Sequence, residues 1–445
     1  MVLAVNLGVG ARVYLSSAQA AGKDSAYPSL EVFSYVMERV RRDYVEGKDV
    51  TYQKLVYDAL RGMVSELDPH SEFLEPEKYK ELQSDTQGQF GGLGIVVQIR
   101  DDFLTVVAPI EDTPGFKAGI LSGDRIVKID GRSTEKMALQ DAVKTLRGEP
   151  GTEVTVTVLR PSTGKITDHK LTRDTINVDM AKDINGKKEY PLSENKIGYV
   201  RLTQFGEKTS AELETAMRKL KSQGMQSLIL DLRWNPGGLL DQAVEVCERF
   251  LPRNQLVVST EGRNPAKNKS HFADGRGERF RNLPLIVLVN TGSASAAEIV
   301  AGCLQDCAAN GGCKAIVVGE KTFGKGSVQE ILPLEGGAAL RLTTAYYYTP
   351  SHKIIHERGI TPDIEVPLTD DEERAILIKR APGGLESLDD QDRERVSQLR
   401  DAQLDRAMDL LKGISLFTAR LPADEPRVSA KNEKLAAKGA EALTR

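Results

Sequence analysis

Hydrophobic and polar residues follow three successive textures along this chain. Between residues 28 and 85 the spacing is helical. In SLEVFSYVMERVRRDY the apolar residues Leu30, Val32, Phe33, Val36, Met37 and Val40 recur every three or four positions. TYQKLVYDALRGMVSEL repeats the pattern, with Thr51 or Asp49 as its start signal. A glycine and glutamine cluster, QGQFGGLG, marks a boundary. From Gly92 to about Pro161 the runs GIVVQI, FLTVVAPI, GDRIVKIDGRS and TEVTVTVLRP predict short strands. One amphipathic helix interrupts them, ALQDAVKTLRG, with Leu139, Ala142, Val143 and Leu146 on one face. Residues 196–365 alternate buried strands (KIGYVRL, SLILDLRW, PLIVLVN, AIVVGE) with helices (SAELETAMRKLKSQG, LLDQAVEVCERFL, SAAEIVAGCLQD), which predicts a mostly parallel α/β layer. Beyond 369 the chain is charged and helical and ends in an Ala/Lys-rich tail, expected to be mobile.

At 445 residues the chain is expected to form two to four domains. Lys and Arg (60) do not outnumber Asp and Glu (64), and no basic block dominates, so nothing points to a nucleic-acid partner. The opening MVLAVNLGVGARVYLSSAQAAGK is mostly apolar and ends in Ala18-Gln19-Ala20, like the cleavage site of a secretory signal peptide. Arg12 interrupts the run and no basic stretch precedes it, as expected if the start lies upstream of Met1; a buried helix or an uncleaved anchor is the alternative. Export is the expectation. Of the four cysteines, Cys303, Cys307 and Cys313 crowd into CLQDCAANGGC, apart from Cys247. A Cys307–Cys313 disulfide around Asn310-Gly311-Gly312 is the first expectation there, ahead of free thiols, with a zinc site last because no fourth ligand is near.

VVGEKTFGKGSVQE (317–330) carries most of the phosphate-loop pattern G-x-x-x-x-G-K-[ST]. Gly326 stands where the Mg-binding hydroxyl belongs, and the following SVQEILPL predicts a strand instead of a helix. Without a helix N-terminus there is no fan of free N–H groups for phosphate. A lysine flanked by Gly324 and Gly326 is instead a candidate base, since a desolvated lysine loses proton affinity. Its nucleophile is sought in PLIVLVNTGSASAAEIVAG, where a buried strand, a turn of small residues and a helix follow one another. A serine at that helix start has unsatisfied N–H groups beside it for an oxyanion. Simple capping by Ser293 or Ser295, with Glu298 completing S-x-x-E, is the alternative. A second turn, Asn235-Pro236-Gly237-Gly238, follows another buried strand and offers a further donor. No G-x-S-x-G elbow is present, the five histidines sit in polar segments expected to be exposed, and Ser193-x-x-Lys196 precedes a strand. A serine with a lysine base is the best pairing.

GSASAAEIVAG followed by VVGEKTFGKGSVQ resembles the carboxyl-terminal processing protease family of serine peptidases. DLRWNPGGLL, LDPHSEFL (67–74) and GGLGI (91–95) are similar to further blocks of that family, in family order over residues 28–370. The resemblance implies Ser295 as nucleophile, Lys325 as general base and Gln329 as the glutamine orienting them. It implies oxyanion donors at Ala296 and at Gly237 or Gly238. Lys325 must be neutral to accept the serine proton, so activity should fall as pH drops through its folded pKa. CAANGGCK lengthens the family pattern, widening the Ser-to-Lys spacing to 30, and is expected to loop out between helix and strand.

The implied fold is multi-domain α/β. It comprises a signal or anchor (1–21), a helical domain (28–88), an inserted PDZ domain (91–175), a mixed α/β protease core of ClpP/crotonase type (176–368) and a helical segment with tail (369–445). A PDZ module binds an extended chain end along a sheet edge, with the carboxylate in a nest of backbone N–H groups. Gly92, Leu93, Gly94 and Ile95 are the expected nest, with an apolar pocket from Leu93, Ile95 and Leu139 or Val143 favouring an apolar last residue. Arg147, at the end of the PDZ helix, is the candidate relay for gating. The function so implied is an exported endopeptidase, periplasmic or on the outer side of the inner membrane, acting on proteins with free apolar C-termini. No metal or cofactor is needed, and an adaptor or activator and a homo-oligomer are expected partners. The rival from another class is a catalytically inactive PDZ scaffold, against which the intact Ser295, Lys325 and Gln329 argue.

Overall fold

The computed structural model describes residues 26–420 except 47–49, 101, 111–112, 122, 162, 178, 276, 381–384 and 386–387. The leader-like opening and the Ala/Lys-rich tail therefore lie outside the described residues. No described helix is long and apolar enough to cross a membrane.

Two compact units form. The first takes residues up to Lys80 together with Gln329–Thr343. The two predicted N-terminal helices appear as α1 (Ala26–Asp43) and α2 (Tyr52–Ser65), the latter capped by Thr51, whose side chain accepts the Lys54 N–H. Tyr57, Leu60 and Val64 of α2 pack on Phe73 of strand β1 (Glu72–Leu74) and on Ala338 and Leu340. α1 buries nothing within the chain, leaving Leu30, Phe33, Val36 and Val40 in solvent.

The second unit begins within α3 (Pro76–Gln87) and holds the three remaining cores. Strands β2 (Gln89–Gly92), β3 (Ile95–Arg100), β4 (Phe103–Pro109), β5 (Arg125–Ile129), β6 (Arg132–Ser133), β7 (Glu153–Arg160), β8 (Lys165–Thr172) and β9 (Asp174–Asn177) include the short α4 (Pro114–Lys117) and the predicted helix α5 (Leu139–Leu146). The order β3-β4-β5-β7-β8 leaves β3 at an edge, paired only with β4. Alternate residues of β7 point inward, and Val154, Val156 and Val158 join Leu104, Ile126 and Ile129 in a core of their own. The strands entering and leaving this module, β2 and β9, pair with each other as an antiparallel ribbon.

The four strands predicted for the α/β layer all form. In the sheet β10-β11-β12-β15-β16-β19, β11 (Ile197–Leu202), β12 (Ser227–Asp231), β15 (Leu285–Val289), β16 (Ala315–Gly319) and β19 (Ile364–Glu365) run parallel. β10 (Ala181–Lys182) closes one edge antiparallel. Such strands are buried on both faces, which is why they read as continuous apolar runs. Helices α6 (Thr209–Ser222), α7 (Leu240–Glu248) and α8 (Ala296–Ala309) cover one face. A smaller antiparallel sheet joins β13 (Leu256–Gly262) to β14 (Lys269–Phe272) and to Ala345–Tyr348 of β18 (Ala339–Tyr348).

The other face of the main sheet is closed by the C-terminal segment. After α9 (Asp370–Arg380) and α10 (Asp390–Gln398), α11 (Ala402–Arg420) lays Leu404, Ala407, Met408, Leu411 and Ile414 on Ile229, Ile286 and Leu288. This charged end is part of the core. The expected loop at CAANGGCK is shorter than read: α8 continues through Cys307 to Ala309, and residues 310–314 make the loop before β16. Cys307 is thereby turned into the core, and the Cys313 Sγ lies 3.5 Å from the Leu304 carbonyl. The four cysteines are free thiols, so the expected Cys307–Cys313 bridge is not formed.

Candidate active site

Strand β15 ends in a turn in which the two serines have different surroundings. The Ser293 hydroxyl donates to the Leu232 carbonyl (2.8 Å) and accepts the Asn290 N–H (3.0 Å), so it ties two buried strand ends together. Ser295 lies beyond it, at the N-cap of α8, with φ 55° and ψ −114°. Positive φ in a residue with a side chain costs roughly 1–3 kcal/mol and persists only where surroundings enforce it. Here the enforcement is visible. The Glu298 carboxylate accepts the Ser295 N–H (2.8 Å), and the Ala294 N–H donates to the Asn235 carbonyl (2.9 Å). Among the described residues no hydrogen bond uses the N–H of Ala296, the first of the helix.

After β16 the chain runs as an irregular loop to β17 (Ser327–Pro333), a strand where a phosphate loop would need a helix. Gly324 has φ 92°, and a Cβ on Gly326 would stand 2.1 Å from the His356 nitrogen. Gly326 thus serves close approach and does not need positive φ. The half-buried Lys325 donates its N–H to Glu298 Oε2 (2.9 Å), the atom that also holds Ser295. Glu298 Oε1 takes Gly324 N–H (2.7 Å) and Thr322 Oγ1 (2.5 Å). Burial pushes the Glu298 carboxyl above its ordinary range, against these four bonds, which favour the carboxylate. The motif S-x-x-E marked Glu298 only as a cap. Its hold on the distant lysine loop has no local signal.

The glycine turn abuts the serine. A Cβ on Gly237 would meet Ser295 Cβ and the Ala294 oxygen at 2.7 Å. The Gly237 N–H is taken by Asn235 Oδ1 (2.9 Å), whereas among the described residues no hydrogen bond uses the Gly238 N–H. Asn235 is anchored by Nδ2 to the Leu202 carbonyl (2.8 Å). Upstream, Asp231 and Arg233 form a buried pair that also engages Arg380, Asp401 and Tyr199. Burial opposes the Asp231 charge, but the two guanidiniums and their hydrogen bonds hold its carboxyl well below the usual range. A D-x-R pair closing an apolar strand was the available signal for this cluster, and it was missed.

Gln329 belongs to the first unit, where its Nε2 donates to Thr343 Oγ1 (3.3 Å). Thr343 Oγ1 in turn donates to Asp68 Oδ1 (3.2 Å), which also accepts the N–H groups of His70 and Ser71. LDPHSEFL is therefore the segment that holds Thr343. The expectation of exposed histidines holds at His352 and fails at His70, His169, His271 and His356, which are partly buried, His356 against the Tyr346 ring.

In the β3–α5 module the Leu93 and Gly94 carbonyls are taken by the N–H groups of Gly115 (2.8 Å) and Ile110 (2.7 Å). Among the described residues no hydrogen bond uses the N–H of Leu93 or Gly94. Gly94 (φ 66°) lies against Thr113, where a Cβ would come within 2.2 Å. Gly92 is paired with Asp174 in the ribbon, and Ile95 opens the edge strand. Leu93 is in the module's core, while Ile95 and Val143 are half-buried and Leu139 is exposed. The Arg147 guanidinium sits 4.4 Å over the Phe90 ring, on the entry strand. Arg173, which sequence reasoning passed over, donates to the Thr145 (2.8 Å) and Leu146 (3.1 Å) carbonyls at the end of α5.

Residues 196–366 match the model of peptidase family S41, and residues 105–160 match a PDZ domain. A carboxy-terminal-processing protease of Bartonella bacilliformis is 44% identical over 369 residues, covering 82% of this chain and 81% of that protein. A carboxyl-terminal-processing protease of Picosynechococcus is 38% identical over 314 residues, 70% of this chain and 73% of that protein. The carboxy-terminal processing protease CtpA of Bacillus subtilis is 34% identical over 357 residues, 80% of this chain and 72% of that protein.

Proposed function

We propose that this chain, which belongs to the carboxy-terminal processing protease family and is a serine-type endopeptidase, cleaves with Ser295 as nucleophile and Lys325 as general base. The neutral Lys325 amine takes the Ser295 proton as Oγ attacks the scissile carbonyl, then returns it to the leaving amine. Water hydrolyses the acyl-enzyme in the second half-reaction. The N–H groups of Ala296 and Gly238 receive the oxyanion. Gly238 is preferred to Gly237, whose N–H Asn235 already holds. Gln329 keeps the orienting role that the family resemblance implies, on its place four residues after Lys325 alone.

The observation that carries this reading is that one oxygen, Glu298 Oε2, accepts the backbone N–H of both Ser295 and Lys325. It supports a common register for two loops 30 residues apart in sequence. The parallel layer supports a core of ClpP/crotonase type, with the domain boundaries as read from the sequence.

Substrates are peptides or proteins. Their free C-terminus would add to the β3 edge with its carboxylate at the Leu93 and Gly94 N–H groups, flanked by Gly92 and Ile95, and an apolar last residue against Val143 and Leu139. Arg147 would relay peptide binding at α5 to the ribbon, a role supported by its guanidinium stacking on Phe90. Export to the periplasm or the outer side of the inner membrane, self-association through the exposed apolar face of α1, and activation by an adaptor complete the proposal, with no cofactor. The inactive scaffold is not favoured. The test is cleavage of an unfolded protein with an apolar C-terminus, and of its C-terminally amidated twin. Ser295→Ala and Lys325→Ala should abolish cleavage and amidation should slow the wild type; equal cleavage by wild type and Ser295→Ala contradicts the reading.

A further inference from the structure

The peptidase family model ends at residue 366, yet the segment beyond it reaches the residues that lead into the glycine turn with four side chains. Trp234 stands one residue before Asn235 and, like Ser295, holds positive φ (56°) with a bulky side chain. Its N–H donates to Asn290 Oδ1 (2.8 Å), at the end of the serine-bearing strand. Its indole Nε1 donates to Glu373 Oε1 on α9 (2.7 Å), and the Arg380 guanidinium of the same helix lies 4.7 Å over the ring. Arg380 also bonds Asp231 Oδ2 and the Tyr199 hydroxyl (3.3 Å). Arg233, with no exposed side-chain surface, forks onto both Asp401 oxygens (2.8 and 2.9 Å) and onto Gln403 Oε1 (3.1 Å) at the start of α11.

We propose that the C-terminal segment is a positioning element for the Asn235–Gly238 turn, with Glu373 and Arg380 of α9 and Asp401 as its positioning residues. The reasoning is mechanical. A residue such as Trp234 leaves positive φ unless contacts hold it. Its ring is held by Glu373 and Arg380 of α9, with the Arg233 guanidinium 5.5 Å from the ring centre and Gly292 against its edge, and its backbone by Asn290. Asn235, the next residue, carries the Gly237 N–H on its side chain and the Ala294 N–H on its carbonyl. A rotation at Trp234 is therefore passed directly to the Gly238 donor and to the residue preceding Ser295. Arg233 and Asp231 fix the strand end that leads into the same turn, again through partners beyond residue 366. Oxyanion donors act on the transition state, so their displacement appears in kcat more than in KM.

The proposal rests on Ser295 as nucleophile with the glycine turn as its oxyanion donor, and the experiment separates the two. In the full chain, Glu373→Ala removes the indole acceptor, whereas Glu373→Gln keeps an amide oxygen there. Glu373→Ala and Arg380→Ala should each lower kcat about tenfold to a hundredfold with KM within about twofold of wild type. Glu373→Gln should restore most of that loss. In a Trp234→Phe background, which lacks the indole donor, Glu373→Ala should cost little more. A general folding role would instead make the two losses multiply and would lower kcat only in step with thermal stability. The proposal is overturned if Glu373→Ala keeps wild-type kcat while Ser295→Ala is inert, if Glu373→Gln is as impaired as Glu373→Ala, or if the losses multiply. If Ser295→Ala itself cleaves at the wild-type rate, the nucleophile assignment fails and this proposal with it.

Discussion

Replacing Glu298 by Gln is the sharpest perturbation the site offers, because it changes one atom in a side chain with no exposed surface. The carboxylate has four donors: Ser295 N–H and Lys325 N–H on Oε2, Gly324 N–H and Thr322 Oγ1 on Oε1. A carboxamide keeps one acceptor oxygen. In either orientation its NH2 confronts two buried donors. A hydrogen bond to a charged group contributes about 1.5–3 kcal/mol, so losing two costs about 3–6 kcal/mol. Relief from a buried charge offsets part of this, since burial already pushes the Glu298 carboxyl upward. A group whose folded pKa is raised contributes stability at low pH that is lost as pH rises through that value, so the carboxylate at neutral pH is retained at some expense of stability. The backbones of Ser295 and Lys325, the proposed dyad, share one oxygen, so the damage falls on their relative placement, where an error of about 1 Å costs about a hundredfold. Steady-state cleavage of an unfolded protein with an apolar C-terminus should show kcat reduced at least about a hundredfold, with peptide binding to the PDZ module unchanged. Wild-type kcat in Glu298→Gln would refute the claim that this carboxylate sets the dyad.

Gly237→Ala should lose activity by about a hundredfold or more, because the added methyl would lie 2.7 Å from Ser295 Cβ at a φ of 96°. Gly311→Ala, at positive φ but in open space, should cost only about 1–3 kcal/mol of stability and leave kcat unchanged. Asp231 has a folded pKa far below its unfolded value, so it contributes stability above about pH 4 that is lost only as pH falls through the depressed value. Arg380→Gln weakens that depression and should move the acid-unfolding midpoint, followed by far-UV circular dichroism, to higher pH; an unmoved midpoint would show that Arg380 does not hold the charge. Val143→Asp should raise KM about tenfold for substrates with a free apolar C-terminus and leave kcat near wild type, measured on matched free and amidated peptides.

The strands of the α/β layer were legible because burial on both faces writes them as unbroken apolar runs, SLILD and LIVLV above all. The PDZ edge was legible in the alternation of its strands. Ser295 could be named only through motif resemblance, since the pattern of small residues serves Ser293 equally well and three-dimensional hydrogen bonding separates them. Contacts between residues far apart in sequence were not legible. Glu298 reads as a cap, although three of its four bonds go to a loop 24, 26 and 27 residues away. Arg233 closes the run SLILDLRW, and nothing local to it signals Asp401, 168 residues on, which meets it. α11 was read as a charged end because its apolar positions are diluted among polar residues; only the sheet face it covers shows that they form one stripe. CAANGGCK was only partly legible for a local reason: Cys307, Ala308 and Ala309 continue the helix, and the loop begins only at Asn310.

The central claim, that Ser295 is activated by Lys325, is tested most directly by labelling the intact protein with a fluorophosphonate and mapping the adduct by peptide mass spectrometry. A single adduct on Ser295 is predicted, forming faster as pH rises and suppressed at least about a hundredfold in Lys325→Ala. An adduct on Ser293, or labelling of Ser295 in Lys325→Ala at the wild-type rate, would contradict the account.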